Sequence, residues 1–239
     1  MKILNFFKHN WTAILYFNFK MLPLKQAIKL PFDFWGKVKF INLSGKVILD
    51  TENIRRGMIC IGLNHSTLFP SYTSAINISG NIKFKGTANV GRGILIEVNK
   101  NSTVVIGNNV EIGGLTKIMC QKNIIISDNI SISWECQIFD SDFHFIRNIA
   151  TNEIKPRRRN VLIGNNVWLG NRVTINKGTV LPDFTIVASN SVCNKDYSKG
   201  DNNHIIIAGT PAKVVSEGYE RIFEALEPEL IKQLIKNEN

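Results

Sequence analysis

His144 closes the run Asp140-Ser-Asp-Phe-His144, which follows the aliphatic segment ending at Ile138-Phe139. A histidine next to carboxylates suits proton transfer. Free imidazole titrates near about 6.5, so at cytosolic pH it is largely neutral and can accept the proton of an attacking hydroxyl. Asp140 or Asp142 could hold the ring nitrogen opposite the reacting one, as a carboxylate does in a serine hydrolase triad, and Asp142 is the preferred candidate. His9, His65 and His204 have no such setting and read as surface or core residues. A second candidate is Trp168 in Ile163-Gly-Asn-Asn-Val-Trp168-Leu-Gly-Asn-Arg, an indole at a position where the surrounding pattern carries Val or Thr.

That pattern is the element that must position these residues. From Ile163, five hexads place Ile163, Leu169, Ile175, Leu181 and Val187 at every sixth residue. A strict six fits neither a strand, with period two, nor a helix, with period 3.6. It fits a solenoid in which each hexad is one short strand and a corner, and three hexads close a triangular coil. Ile76, Ile82, Ala88, Ile94, Ile106, Ile112 and Ile118 share one earlier frame, broken at Lys100. After a two-residue slip Ile126, Ile132 and Ile138 form another. The pattern then stops over residues 141–160 and restarts at Ile163, so a long inserted loop is expected there. Ile41, Val47 and Ile59 hint at earlier coils, with Asn53 and His65 at intervening core positions.

Composition narrows the setting. A chain of 239 residues with 44% hydrophobic content can bury a core, which argues against disorder. Its four cysteines have no CxxC spacing and read as reduced thiols of a cytosolic protein. The net charge of +10 suits an anionic ligand or surface. The run Lys155-Pro-Arg-Arg-Arg159 could help hold an anionic acceptor or simply steer one; without interleaved aromatics it is no nucleic-acid motif, and no nucleic-acid partner is expected.

The first 35 residues mix Phe6, Phe7, Trp11, Tyr16, Phe17 and Phe19 with Lys2, Lys8, Lys20, Lys25 and Lys29. They contain no run long enough to span a bilayer and no secretory cleavage pattern. This amphipathic segment either lies on an anionic membrane face or packs on the protein itself. From Ser216 on, Ile222, Leu226, Leu230, Leu234 and Ile235 recur at helical spacing, with Pro228 as a kink or divider. The expected organisation is an amphipathic segment over 1–35, a solenoid over 36–215 carrying the 141–160 loop, and a C-terminal helix over 216–239.

Together, the hexads, Asp-Ser-Asp-Phe-His144, the Trp168 run and the closing Ala208-Gly-Thr-Pro-Ala-Lys213 resemble the hexapeptide-repeat acyltransferases, above all their sugar O-acetyltransferase branch. The resemblance covers about residues 76 to 215 and implies a left-handed parallel β-helix; the hand comes from the family, since crossovers elsewhere are nearly all right-handed. It implies direct transfer from acetyl-CoA to a sugar hydroxyl with His144 as general base and no metal. Trp168 would lie beside the acyl donor, with intersubunit packing as the plainer alternative. Gly170 and Asn171 match positions where backbone meets the pantetheine and the thioester oxygen, so an N–H near Asn171 would serve the oxyanion. Ser189 matches a second pantetheine contact, and Lys195 and Lys213 match basic positions near the nucleotide phosphates. The resemblance also implies a homotrimer. The expected acceptor is a surface polysaccharide or its precursor, modified in the cytoplasm at or near the membrane. N-acetylation of a nucleotide-linked amino sugar is the enzymatic alternative. A solenoid carbonic anhydrase would need three histidines on zinc, and none stands close in sequence to His144.

Overall fold

The computed structural model describes residues 9–64, 72–199, 203–223 and 227–238. His65, Leu226 and the first eight residues, including Phe6 and Phe7, lie outside the described residues. Three sheets of nine, seven and six strands form the faces of a triangular prism. The chain visits them in rotation: Phe32–Phe34 opens the first face, Val38–Leu43 the second and Lys46–Leu49 the third. Each later strand of the coils pairs in parallel with the one a full coil earlier, up to Ile205–Gly209, as Ile118 does with Ile96 and Ile138. The prism is a left-handed parallel β-helix.

Sequence periodicity maps directly onto its interior. Ile76, Ile82, Ala88, Ile94, Ile106, Ile112 and Ile118 are at most 2% exposed, as are Ile126, Ile132, Ile138 and the five hexad leaders from Ile163 to Val187. Stacked aliphatic side chains one strand spacing apart exclude water from a continuous column, and this burial is the main stabilising term. Coil size explains the slips. Leu169 pairs with Val187, eighteen residues on, whereas Ile118 pairs with Ile138, twenty on, and Ile96 with Ile118, twenty-two on. The extra residues sit at corners such as Asn99 to Ser102, where Lys100 turns outward and Asn101 takes φ of 64°.

At the N-terminal end the coils begin at Phe32, and one early position differs from expectation. Ile41 is 58% exposed because the register shifts between Phe40 and Asn42, turning Ile41 out. Asn53 is also exposed, in the link before the next strand. Helix α1 (Trp11–Met21) lies over this open end and short helix α2 (Leu24–Ala27) follows. Phe17 packs its ring against Phe32, Phe34 and Phe40 at centroid distances of 4.9, 5.2 and 5.4 Å. Buried Asn18 donates to the Phe32 carbonyl and accepts from the Phe32 N–H, stitching the helix to the first strand. Opposite this packed stripe, Leu15, Tyr16 and Phe19 are about half exposed, at 48, 54 and 49%.

The other end is closed by a hairpin in which Ile205–Gly209 pairs antiparallel with Ala212–Glu217. A strand therefore occupies the start of the stretch expected to be helical, and it covers an otherwise open sheet edge. Helix α3 runs Pro228–Glu238. Pro228 starts it instead of kinking it, because a residue without N–H and with fixed φ suits the first helical position.

Candidate active site

Between the second and third faces, residues 141–160 leave the prism as an arm. Ile146–Arg147 pairs antiparallel with Ile154–Lys155, and Ser141 bridges Arg158 at the base. Two contacts pin that base to the coils. Lys177, one coil further on, forms an ion pair with Asp142 and donates to the Pro156 carbonyl at 2.6 Å, joining both limbs. Ser141 Oγ bonds Gln121 Oε1 at 3.0 Å, and the Phe143 N–H donates to Ser141 Oγ at 3.0 Å. Phe143 has φ of 63°, a left-handed conformation that is costly for a bulky side chain and needs this support. His144 follows at once and is exposed.

The two carboxylates beside it have other partners. Asp140 is fully buried, and its oxygens accept the Gln121 and Lys122 N–H groups at 2.7 Å and the Cys120 thiol at 3.2 Å. Asp142, expected to orient His144, instead faces Lys177, and neither Asp140 nor Asp142 bonds the imidazole within one chain. The ammonium lies closer to hand than the ring, because the arm folds its base back toward the following coil.

Trp168, Gly170, Asn171 and Ser189 gather away from the arm. Trp168 lies on the first face with its ring turned outward, Nε1 3.4 Å from Ser133 Oγ and the Arg221 guanidinium 5.4 Å from its centre. At the corner between first and second faces, Gly170 donates to Val187 O and Asn190 donates to Asn171 O. The intervening Asn171 and Ser189 N–H groups have no hydrogen-bond acceptor among the described residues, which leaves two uncommitted backbone donors one coil apart. Ser189 Oγ donates to Asn171 Oδ1 at 2.5 Å. A Cβ on Gly170 would stand 2.7 Å from the Ser189 nitrogen, so glycine keeps this pair of amides clear. Lys195 lies at the arm's corner with its ammonium 5.1 Å from the Tyr197 ring centre, and Lys213 is exposed on the closing hairpin.

The cysteines offer no competing nucleophile. Burial, then the Asp140 charge, pushes the Cys120 thiol up to about 12; burial raises Cys136 to about 11 and Cys193 to about 12. Burial, then Asp33, raises Cys60 to about 11. All four stay protonated near neutrality, where thiols react poorly. Among the described residues no group of three or more His, Cys, Asp or Glu side chains could hold a metal ion.

No family model matches the chain. WbbJ of Escherichia coli K12, assigned as a lipopolysaccharide biosynthesis O-acetyl transferase, is 26% identical over 157 residues, 62% of this chain and 76% of its own. The chain is thus similar in sequence to a sugar-modifying O-acetyltransferase. Another relative is the dTDP-4-amino-4,6-dideoxy-D-glucose acyltransferase of Escherichia coli, 24% identical over 165 residues, covering 65% of this chain and 86% of that one. Among solved structures, the polySia-specific acetyltransferase NeuO superposes with a TM-score of 0.57 at 20% identity, over 81% of this chain and 79% of its own.

The chain presents its candidate base and its candidate donor-side amides on two separate corners. One sheet face divides them, about 15 to 20 Å for a coil side of five to six residues. A single chain therefore does not bring His144 and Asn171 together. Three features of the site were not singled out from sequence: Lys177 as the arm's anchor, Ser133 under the indole and Arg221 over it. Their signal is weak because each depends on which residues stack one coil apart.

Proposed function

We propose that the chain transfers an acetyl group from acetyl-CoA to a hydroxyl of a sugar, in a surface polysaccharide or its precursor. The observation that carries this reading is the Asp-Ser-Asp-Phe-His144 arm, pinned so that the imidazole is exposed beside the prism. His144 Nε2 or Nδ1 takes the hydroxyl proton as the sugar oxygen attacks the thioester carbonyl carbon. The carbonyl electrons move to oxygen, where the Asn171 N–H donates to the developing charge. Collapse breaks the carbon–sulfur bond, and the CoA sulfur receives the proton from His144. The acetyl ester and free CoA result, with no acyl-enzyme.

Trp168 packs against the donor's acyl end, Gly170 and Ser189 line the pantetheine, and Lys195 and Lys213 meet the nucleotide phosphates. Because Gly170, Asn171 and Ser189 occupy a different corner from His144, the reading requires a homotrimer in which one chain's arm meets its neighbour's donor corner. The arm is suited to this: Phe145, Ile146, Ile149 and Ile154 are 70, 50, 90 and 52% exposed, an apolar tip with no cover in one chain. No helix among the described residues is long and apolar enough to cross a membrane. We place the reaction in the cytoplasm, near the inner face of the membrane.

Mass spectrometry of sugar and polysaccharide acceptors incubated with acetyl-CoA tests the reaction. An acetyl gain removed by mild alkali supports the ester. A gain that resists alkali would support the second reading, amide formation on a nucleotide-linked amino sugar, which the likeness to the dideoxyglucose acyltransferase favours.

A further inference from the structure

The arm shelters a groove that the acetyl-transfer machinery does not use. It lies on the N-terminal side of the arm and has a volume of about 470 Å³. Lys100 and Lys122 enter it from successive coils, Arg157 and Arg158 from the arm's returning limb, and Phe145 from the outgoing one. Four cationic side chains thus face one space that no carboxylate lines. Asp140, beside Gln121 and Lys122, is buried with its oxygens committed to the Gln121 and Lys122 N–H groups.

Two of the cations are held in place. Arg158 Nη1 donates to the Gln121 carbonyl at 2.9 Å, and the Arg157 guanidinium lies 4.9 Å from the centre of the Phe145 ring. Arg157 Nε is buried yet has no hydrogen-bond partner. Leaving such a donor unpaired is costly, so an arrangement that keeps it is suited to an incoming oxygen. Planar guanidinium with flanking ammonium groups suits a carboxylate or a phosphate.

We propose that this groove is a subsite for an anionic acceptor, a glycan carrying carboxylates. The proposal rests on the acetyl-transfer reading for its biological use. Coil order is spatial order in a solenoid, and it separates this groove from the proposed donor positions. Lys100 and Lys122 precede the arm, whereas Asn171, Ser189, Lys195 and Lys213 follow it. Lys122 and Lys195 share a corner but stand three coils apart, about 14 Å at 4.8 Å per coil. The His144 turn lies between them, with Phe145 of the groove its immediate neighbour. A glycan seated by its carboxylates would pass this turn with a hydroxyl toward the imidazole.

The test measures binding without turnover. A uronic-acid oligosaccharide and its carboxyl-reduced counterpart of equal length are titrated into the full chain, with free CoA as a third ligand. The charged oligosaccharide should bind at least about tenfold more tightly than the reduced one, a preference that weakens with salt. The Lys100→Ala/Lys122→Ala double variant should lose most of that preference. Arg157→Gln serves as a second, independent variant and should lose it too. Equal binding of the charged and reduced forms by wild type would overturn the proposal. So would a double variant that keeps the preference but binds CoA weakly, because the anion would then be a phosphate of the donor. Neither result depends on acetyl transfer, whose failure would appear separately in the mass-spectrometric assay.

Discussion

Asp140 and Asp142 stand two residues apart and have different tasks. Asp140 is buried and accepts two backbone N–H groups, so Asp140→Asn turns an amide NH₂ toward donors and should cost about 1 to 3 kcal/mol, seen as a lowered melting temperature. Asp142→Asn removes only a part-exposed pair with Lys177 and should change stability by less than about 1 kcal/mol. Its effect should fall on turnover, because that pair fixes the turn bearing His144. Paired thermal melts and acetylation rates separate the two roles; equal melting temperatures would contradict this division. His144→Ala should keep the wild-type melting temperature and lose about 10² to 10⁴ in kcat, the usual contribution of a positioned general base. Wild-type turnover in purified His144→Ala would remove His144 from the mechanism.

Helix α1 packs one side on the prism and leaves the other exposed, so self-packing and membrane contact can be tested on different residues. Phe17 and Asn18 face the prism, while Leu15, Tyr16 and Phe19 face outward. Deleting the whole segment would therefore expose the coil end as well as remove any anchor. Point changes discriminate better. Phe17→Ala should destabilise the fold by about 3 to 5 kcal/mol, measured by denaturant titration. Changing Tyr16 and Phe19 together to Ser should spare stability and reduce flotation with anionic vesicles; wild type that does not float would leave α1 as a cap alone. The same contrast shows what was legible beforehand. Hexad leaders such as Ile163 and Leu169 announced the prism because its interior repeats at fixed spacing. Ile41 did not obey, since one register shift reverses the side to which a residue points. The His144 motif was legible as local sequence. Its partnership with Lys177 was not, because stacking across a corner joins residues 35 apart with no periodic mark.

Across the whole molecule, the apolar arm tip and the divided site both call for neighbours. Light scattering should give three times the 27.0 kDa chain mass, and an active preparation at the mass of one chain would end the trimer. The separation of the His144 corner from the Asn171 corner has a further consequence, for inheritance. If each centre borrows its base from one subunit and its donor surface from the next, two differently crippled copies can repair each other. Refolding His144→Ala with Trp168→Ala chains in equal amounts leaves about one junction in four with both halves intact, on random assembly of a ring. A cell carrying both defective alleles would then keep a substantial part of its acetylation, although neither allele alone supports it.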